Sequence, residues 1–283
     1  MNIIKKLNTR IDKVNSLLCV GLDSDYTKLP EAVKKKQYPQ FAFNKAIIDA
    51  TAEYVCAFKP NIAFYEARGE QGLRELGMTM DYIHAHYADI VTVCDAKRAD
   101  IGNTNRGYVE YIFDHFGFDA ITLHPYLGKE ALQPFLERKD KASIILCRTS
   151  NPGAGELQDL YVGSGRSANR RIARMTMYEY VARQVAEEWN INNNCMLVVG
   201  ATYPKEMKSI RSVVGDIPFL IPGIGVQGGD VKQTVQAGKD SKGKGMIINS
   251  ARGIIFASSG ADFATRAATE AKKLRDEINV FRS

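Results

Sequence analysis

Residues 91–104 read VTVCDAKRADIGNT, an apolar run that ends in two acidic and two basic side chains. Successive side chains of a β-strand point to opposite faces, so Asp95 and Lys97 share one face and Ala96 lies on the other. Burying a charge costs several kcal/mol unless it is paired, so this aspartate and lysine require each other or a ligand. The stretch therefore predicts a buried strand whose carboxyl end carries an ion pair or a binding site.

Seven further apolar runs accompany this one along the chain. They are apolar nearly throughout, which is typical of parallel strands that are buried on both faces. Segments with helical periodicity separate them, including residues 41–54, 102–116, 167–189 and 263–278. The eight predicted strands occupy residues 16–23, 56–62, 89–97, 119–125, 142–150, 194–201, 218–224 and 245–252.

This alternation of strands and helices belongs to the α/β class. Eight strand–helix units in 283 residues match a (β/α)8 TIM barrel in count and size. A doubly wound open sheet is the competing architecture, because alternation alone does not decide whether a sheet closes. No linker rich in proline or serine interrupts the chain, which predicts a single domain over residues 1–283. The longest irregular segment, residues 151–167, is either a functional loop or a plain surface excursion.

Composition narrows the function classes. The chain is 45% hydrophobic and 25% charged, with a formal net charge of +6, which excludes a disordered chain, a collagen-like chain and a disulfide scaffold. No apolar run has signal-peptide or membrane-spanning length, and no basic face is concentrated, so we expect neither a membrane nor a nucleic acid as partner. The five cysteines form no CxxC pair and lie in or beside apolar runs. They predict buried free thiols in a reducing, cytoplasmic compartment.

Charged residues concentrate at the predicted strand ends, where a barrel collects its functional groups. The second strand ends in Lys59 and Asn61, which repeat the two-residue spacing of Asp95 and Lys97. The spacing suggests a cluster of alternating charges formed by Lys59, Asp95, Lys97 and Asp100. A structural ion-pair network that does no chemistry is the alternative.

A second group of residues points to phosphate. Residues 221–230 read IPGIGVQGGD, and residues 249–253 read NSARG. The glycines formally satisfy the GxGxxG pattern of dinucleotide-binding folds, but the next strand ends in asparagine and serine where a ribose-binding acid is required. In a TIM barrel the loops after strands seven and eight commonly bind phosphate, and Arg252 adds a guanidinium suited to it. Phosphate binding is favoured over a plain tight turn.

Together these residues resemble the orotidine 5′-phosphate decarboxylase family. The stretch DAKRADIGNT matches the DxKxxD signature, and further motifs follow in the family's order from about residue 16 to the last helix. They read GLDSD, FKPNIAFYE, HPYLG, TSNPG, PGIGVQGGD and NSARGI, and the FKPN and TSNPG forms resemble the longer, second subgroup. The resemblance implies a homodimer with shared active sites that converts orotidine 5′-phosphate (OMP) to uridine 5′-monophosphate (UMP) without cofactor or metal. It also allows an association with the orotate phosphoribosyltransferase that makes the substrate.

The resemblance assigns catalysis to four charged residues. Lys59, Asp95, Lys97 and Asp100 would alternate in charge, with Asp100 reaching the neighbouring subunit's site. Lys97 would protonate C6 of the pyrimidine when carbon dioxide leaves. The carbanion at C6 lies in the plane of the ring, so no π system delocalises it and a preorganised ammonium has to stabilise it.

The resemblance also implies contacts to the sugar and the base. Asp23 would hold a ribose hydroxyl, and Asn61 would lie near the base or the ribose. Thr104 would reach across the dimer interface to the ribose in the neighbouring subunit. Ser150 would read the amide edge of the pyrimidine. Apart from the resemblance, His124 at the end of the fourth strand is a candidate acid or base, but no carboxylate partner is apparent nearby in the sequence, which favours a supporting role.

The implied phosphate contacts come from the seventh and eighth strand ends. Gln227, Gly228 and Arg252 would bind the phosphate, and Pro222 would line the base. Residues 222–230 would form a loop that closes over the bound nucleotide.

Two other functions stay open at this point. Keto-sugar phosphate decarboxylases and hexulose phosphate synthases share DxKxxD, but they use Mg²⁺ held by acidic ligands. Lys59 disfavours that branch, because a cation beside the acids would repel the metal. The second alternative is a non-catalytic nucleotide- or RNA-binding protein, although the chain has no module of interleaved aromatic and basic residues.

Overall fold

The fold is a closed ring of eight parallel strands. The computed structural model describes residues 2–163, 166–167, 170–171, 174–224 and 228–282. The first strand pairs with the second, and it also pairs with the last, in the register Leu18↔Ile248 and Val20↔Ser250. This closure confirms the (β/α)8 TIM barrel and excludes the doubly wound sheet.

Each of the eight predicted runs supplies one barrel strand. The first five are β1 (Leu18–Gly21), β2 (Ala57–Lys59), β3 (Val91–Arg98), β4 (Ala120–Leu123) and β5 (Ala142–Arg148). Four two-residue strands follow as antiparallel pairs outside the barrel, namely β6 (Tyr161–Val162), β7 (Arg166–Ser167), β8 (Arg170–Arg171) and β9 (Met175–Thr176). The barrel then resumes with β10 (Cys195–Val199), β11 (Phe219–Ile221) and β12 (Met246–Ser250).

Helices surround the barrel. Those of the first half are α1 (Ile3–Val14), α2 (Glu31–Lys34), α3 (Pro39–Thr51), α4 (Ala63–Glu66), α5 (Gly69–His86), α6 (Gly102–Val109) and α7 (Gly128–Leu136). Those of the second half are α8 (Gly155–Gln158), α9 (Met177–Gln184), α10 (Pro204–Val214), α11 (Val231–Gly238), α12 (Arg252–Ile255) and α13 (Phe263–Val280). Short 3-10 turns span Tyr26–Lys28, Ala52–Tyr54 and Pro152–Ala154, and π-helical turns follow α6 and α9 at Glu110–His115 and Val185–Trp189. No helix among the described residues is long and apolar enough to cross a membrane.

The predicted helix over residues 167–189 is wrong at residues 170–171 and 175–176, which form strands, and residues 168–169 and 172–173 lie outside the described part of the chain. Strand β9 pairs with β6 in the register Tyr161↔Thr176, so these residues form an antiparallel ladder where helical periodicity suggested a helix. Helix α9 begins after Thr176, whose backbone N–H donates to the Glu179 carboxylate at 2.9 Å. The segment 151–167 also contains regular structure, because α8 and β6 lie within it.

Helix α1 covers the amino end of the barrel. Lys6 pairs with Asp119 at 2.7 Å, just before β4, and Arg10 pairs with Asp89 at 2.8 Å, just before β3. Arg10 also donates to the carbonyl of Val55, which precedes β2. With this end closed, the carboxyl ends of the strands are left for a site.

All five cysteines are free and buried, as predicted. Burial raises the pKa of the Cys56 thiol to about 12. Cys19, Cys94, Cys147 and Cys195 lie within barrel strands, where each acts as a small apolar side chain.

Candidate active site

A cavity of about 520 Å³ opens at the carboxyl ends of the barrel strands. This volume suits a nucleotide-sized ligand. Eight of the residues predicted for the site line it, on six different strand ends: Asp23, Lys59, Asn61, Asp95, Lys97, Ser150, Pro222 and Arg252.

The centre of the cavity is a buried ammonium between two carboxylates. The Nζ atom of Lys59 lies 3.0 Å from Oδ2 of Asp95 and 3.6 Å from Oδ1 of Asp23. Burial lowers the pKa of Lys59, but the attraction of Asp23 and Asp95 outweighs burial and holds that pKa above its usual range. Lys59 is therefore a fixed cation, because its charged form is the one that its neighbours stabilise.

Lys97 pairs with the other oxygen of the same aspartate. Its Nζ atom lies 2.5 Å from Oδ1 of Asp95, and its side chain is 51% exposed and lines the cavity. Burial raises the pKa of Asp95, but the Lys59 and Lys97 ammonium groups outweigh burial and hold it well below its usual range. The predicted pairing of Asp95 with Lys59 and Lys97 is therefore present in the structure.

The backbone at Asp95 and Lys97 is not the regular strand that the predicted alternation of side chains assumes. Pairing of β3 with β4 runs in register to Cys94↔Ile121 and resumes at Arg98↔Leu123, so β3 holds extra residues between these points. Lys97 lies in this bulge with a φ of 48°, in the left-handed region. Bulges of this kind often re-aim a side chain beside an active site.

Asp23 is held in place through its two neighbours in the chain. The buried hydroxyl of Tyr65 donates to the carbonyl of Leu22 at 2.8 Å, and the side-chain amide of Gln40 donates to the carbonyl of Ser24 at 2.8 Å. Both donors are buried, so the loop after β1 is anchored on each side of Asp23. This gives a structural reason for Tyr65 in the motif FKPNIAFYE.

One side of the cavity combines apolar and amide groups. Leu146, Val198 and Leu220 form an apolar surface that suits the face of a planar ring. Beside them, the side chain of Gln158 accepts from the backbone N–H of Thr149 and donates to its hydroxyl, both at 2.9 Å. These bonds fix the backbone next to Ser150.

Another part of the cavity lining is suited to an anion. Arg252 begins helix α12 with an exposed side chain and lines the cavity. Gly223 and Gly228 have φ values of 99° and 86°, which side chains rarely adopt, so the turn requires glycine at both positions. Gly228 does not line the cavity, and Gln227 lies outside the described residues.

Asp100 and Thr104 do not join the cavity of their own chain. Asp100 is held instead by the buried Asn105, which accepts from its backbone N–H at 2.8 Å and donates to its carbonyl. The four-charge cluster predicted from spacing is thus incomplete within one chain: Lys59, Asp95 and Lys97 meet, and Asp100 is outside. Asp100 lies beyond the carboxyl end of β3, which ends at Arg98.

His124 supports the same turn. Its Nε2 atom lies 2.9 Å from the carbonyl oxygen of Ala99, and its backbone N–H donates to the carbonyl of Arg98 at 3.1 Å. His124 is absent from the residues that line the cavity, in keeping with the supporting position predicted for it.

Several polar residues that sequence reasoning did not predict for the site also line the cavity, among them Thr122, Gln158 and Asn249. Thr122 is a polar residue near the end of an apolar strand, two residues before His124, which is a signal that the sequence does carry. Asn249 lies near the end of an apolar strand. At that position the sequence shows only that a ribose-binding acid is missing. Gln158 has no such signal, because it reaches the cavity from the end of helix α8, where it contacts Thr149.

Sequence comparison identifies the family to which these motifs belong. A sequence model described as the Orotidine 5′-phosphate decarboxylase / HUMPS family matches residues 16–267. The orotidine 5′-phosphate decarboxylase of Cellvibrio japonicus (strain Ueda107) is 46% identical over 285 residues, covering 100% of both proteins. That of Azoarcus sp. (strain BH72) is 45% identical over 282 residues, again covering 100% of both.

Solved structures share the fold over the whole chain. The OMP decarboxylase of Leishmania donovani matches with a TM-score of 0.83 and 39% identity, covering 100% of this chain and 99% of that one. The UMP synthase of Leishmania donovani matches with a TM-score of 0.85 and 40% identity, and this chain spans 57% of its length. The chain therefore belongs to the orotidine 5′-phosphate decarboxylase / HUMPS family.

Proposed function

We propose that this protein decarboxylates orotidine 5′-phosphate to uridine 5′-monophosphate without a metal or cofactor, with residues 1–283 acting as one catalytic domain. One observation carries the proposal: Lys59 and Lys97 hold the two oxygens of the Asp95 carboxylate at 3.0 and 2.5 Å, in the wall of a nucleotide-sized cavity. Within this cluster Lys59 is buried, and Lys97 is the cation that is exposed to the cavity. The arrangement is a preorganised electrostatic site.

The charges suit the chemistry of the reaction. When the bond from C6 to the carboxylate breaks, carbon dioxide leaves and the bonding electron pair stays on C6. The Lys97 ammonium would stabilise that pair and then transfer a proton from Nζ to C6. Lys59 and Asp95 would keep Lys97 in place, so little reorganisation is required during the reaction.

The Lys97 ammonium alone does not supply enough catalysis. One preorganised donor contributes roughly 3–4 kcal/mol to a transition state. A very slow uncatalysed reaction requires far more, so binding of the distant phosphate has to help orient and hold the reacting ring. Arg252 and the glycine turn at Gly223 and Gly228 would bind the phosphate, Pro222 would line the base, and Gln227 would add a phosphate contact.

The sugar and base contacts complete the proposed substrate site. Asp23 would hold a ribose hydroxyl, Asn61 would lie near the base or ribose, and Ser150 would read the amide edge of the pyrimidine. The support is their common position on the cavity wall, which also includes the apolar side chain of Leu146.

The position of Lys59 separates this reaction from the Mg²⁺-dependent sugar-phosphate branch of the family. Its ammonium lies between Asp23 and Asp95, the two acids that a metal would require at this point. A divalent cation there would be repelled by a fixed charge within a few ångströms.

We further propose a homodimer in which each subunit completes its partner's site. Asp100 and Thr104 do not line their own cavity, and exposed apolar side chains lie between them in the chain and just before α7: Ile101 is 59% exposed, Tyr126 85% and Leu127 46%. Such an exposed apolar group is typical of a surface that a partner covers. Asp100 and Thr104 would then enter the ribose end of the neighbouring cavity.

We also propose a cellular location and a protein partner. A cytoplasmic location fits five buried cysteines that are all free. An association with orotate phosphoribosyltransferase fits the Leishmania donovani UMP synthase, which extends well beyond the part that this chain spans.

The reaction is tested by release of labelled carbon dioxide from OMP that carries the label in its carboxyl group. A keto-sugar acid phosphate with Mg²⁺ serves as the comparison substrate. Release from OMP alone supports the proposal, whereas release from the sugar phosphate alone would move the chain to the metal-dependent branch.

A further inference from the structure

We propose that Thr122 is a positioning residue for Lys97, which acts through the three hydrogen bonds of its hydroxyl group. The inference rests on the proposed decarboxylation, because it concerns the residue that would protonate C6. Thr122 lies on β4, opposite the bulge of β3 that contains Asp95, Ala96 and Lys97.

The bulge removes the ordinary partners of two backbone groups. Between Cys94↔Ile121 and Arg98↔Leu123, the strand β3 contains more residues than β4, so the backbone of β4 cannot pair with each of them. The N–H groups of Ala96 and Lys97 donate instead to Oγ1 of Thr122, each at 3.0 Å. A side chain thus replaces the missing part of the ladder.

The same hydroxyl also orients the carboxylate. Thr122 donates its proton to Oδ1 of Asp95 at 3.0 Å, the oxygen that Lys97 contacts at 2.5 Å. A hydroxyl has one proton to donate and two lone pairs that accept, and all three are used here. No capacity is left for substrate, although Thr122 lines the cavity, so its part is to position other groups.

The conformation of Lys97 requires such support. Among the described residues, three other than glycine have a positive φ, and the other two are Asn15 and Asn193. Asparagine adopts this region far more readily than lysine, which persists there only where its surroundings hold it. Thr122 bonds to the residue before Lys97, to Lys97 itself and to its ion-pair partner, so it is the side chain placed to do this.

Three variants test the proposal: T122S keeps the hydroxyl, T122A removes it, and T122V replaces it with a methyl group of similar size. We expect T122V and T122A to lose about 10²-fold in kcat, the loss typical of a misplaced catalytic group. T122S should stay within about tenfold of the wild type, with KM for OMP changed less than about threefold in all three. Thermal unfolding of each variant shows that it is folded.

If Thr122 positions Lys97, kcat depends on the hydroxyl, so T122S stays active and both T122A and T122V lose activity. If Thr122 only packs, kcat depends on the methyl group, so T122S and T122A lose activity and T122V keeps it. Equal kcat for T122S and T122A, or a loss that appears only in KM, would overturn the proposal. If T122V fails to fold, the ratio of kcat for T122S to kcat for T122A still decides the question, since these two variants differ only by the hydroxyl.

A structural readout separates this inference from the proposed reaction. In crystals of T122A, the backbone of Lys97 should leave the left-handed region and Nζ should move away from Asp95. An unchanged φ would contradict the inference whatever the substrate. Wild-type protein that leaves OMP intact would contradict the proposed function, and the crystal result would still decide the role of Thr122.

Discussion

Oδ2 of Asp95 lies 3.0 Å from the Nζ atom of Lys59, and the two side chains are 13% and 4% exposed. The other oxygen of the same carboxylate contacts Lys97 and Thr122. Asp95 therefore contacts both lysines of the cluster, and through Thr122 it is linked to the bulge that contains Lys97. Removing its charge would leave Lys59 buried with only Asp23, at 3.6 Å, as counter-ion.

Asp95→Asn should destabilise the protein near neutral pH by about 3 kcal/mol, the low end for a broken buried pair because Asp23 is still present. Denaturant unfolding of both proteins at pH 7 measures the difference. Asp276→Asn, on the exposed surface of α13, is the matched control, and its effect should be small.

The same pair predicts the pH dependence of stability. The pKa of Asp95 is lowered in the folded state, so its contribution is present above the unfolded pKa of about 3.9 and is lost as the pH falls below it. The pKa of Lys59 is raised, so its contribution is present below the unfolded pKa of about 10.4 and is lost at higher pH. The difference between wild type and Asp95→Asn should therefore be smaller at pH 3 than at pH 7. An equal difference at both pH values would show that the ion pair does not stabilise the fold.

Lys97→Ala should remove the proton donor while the fold and the phosphate end stay intact. We expect kcat to fall by at least about 10³-fold, the upper range for loss of one electrostatic group, while UMP still binds. Steady-state kinetics and calorimetric titration with UMP measure the two effects. Lys272→Ala, on the exposed face of α13, is the control variant. Near-normal turnover by Lys97→Ala would refute the proposed role of Lys97.

Arg252→Ala should weaken binding of the phosphate without affecting the base. A hydrogen bond to a charged group contributes about 1.5–3 kcal/mol, so the affinity for UMP should fall by roughly 10- to 100-fold. Binding of uridine, which lacks the phosphate, should be unchanged. An equal loss for UMP and uridine would place Arg252 elsewhere in the site. Arg74→Ala on α5 controls for loss of an exposed arginine.

Asp100→Ala and Lys97→Ala together test the shared site. Each variant should be nearly inactive by itself, but a mixed dimer would contain one site with an intact Lys97 and the Asp100 supplied by the other subunit. An equal mixture that exchanges subunits freely should recover about a quarter of wild-type activity. No recovery, with subunit exchange shown by mass spectrometry, would mean that each chain is self-contained.

The sequence predicted the barrel because its strands are apolar on both faces, and every one of the eight runs became a strand. It also predicted the contact of Asp95 with Lys59 and Lys97, since a charge on a buried strand requires a partner. What it could not predict was the bulge at Ala96 and Lys97, because alternation assumes a regular strand. Thr122 was missed for the same reason: its part depends on backbone groups that only an irregular strand leaves unpaired.

The error in the segment 167–189 has a different physical cause. Helical periodicity describes one face of an isolated segment, but pairing of Val162 with Met175 gives residues 175–176 ladder partners that the pattern does not show. Gln158 was missed for a similar reason, since it reaches the cavity from helix α8 through tertiary contacts that no local pattern shows. Asp100 shows the limit of spacing alone, because its distance along the chain from Lys97 does not decide whether it lines the same cavity.

The most direct test of the central claim is the ultraviolet absorbance of orotidine 5′-phosphate after addition of the purified protein with excess EDTA. The proposed site predicts rapid conversion to the spectrum of uridine 5′-monophosphate at a rate that the chelator does not change. Conversion that stops with EDTA and returns with Mg²⁺, or no conversion at all, would contradict the claim that fixed ammonium groups at Lys59 and Lys97 carry the reaction.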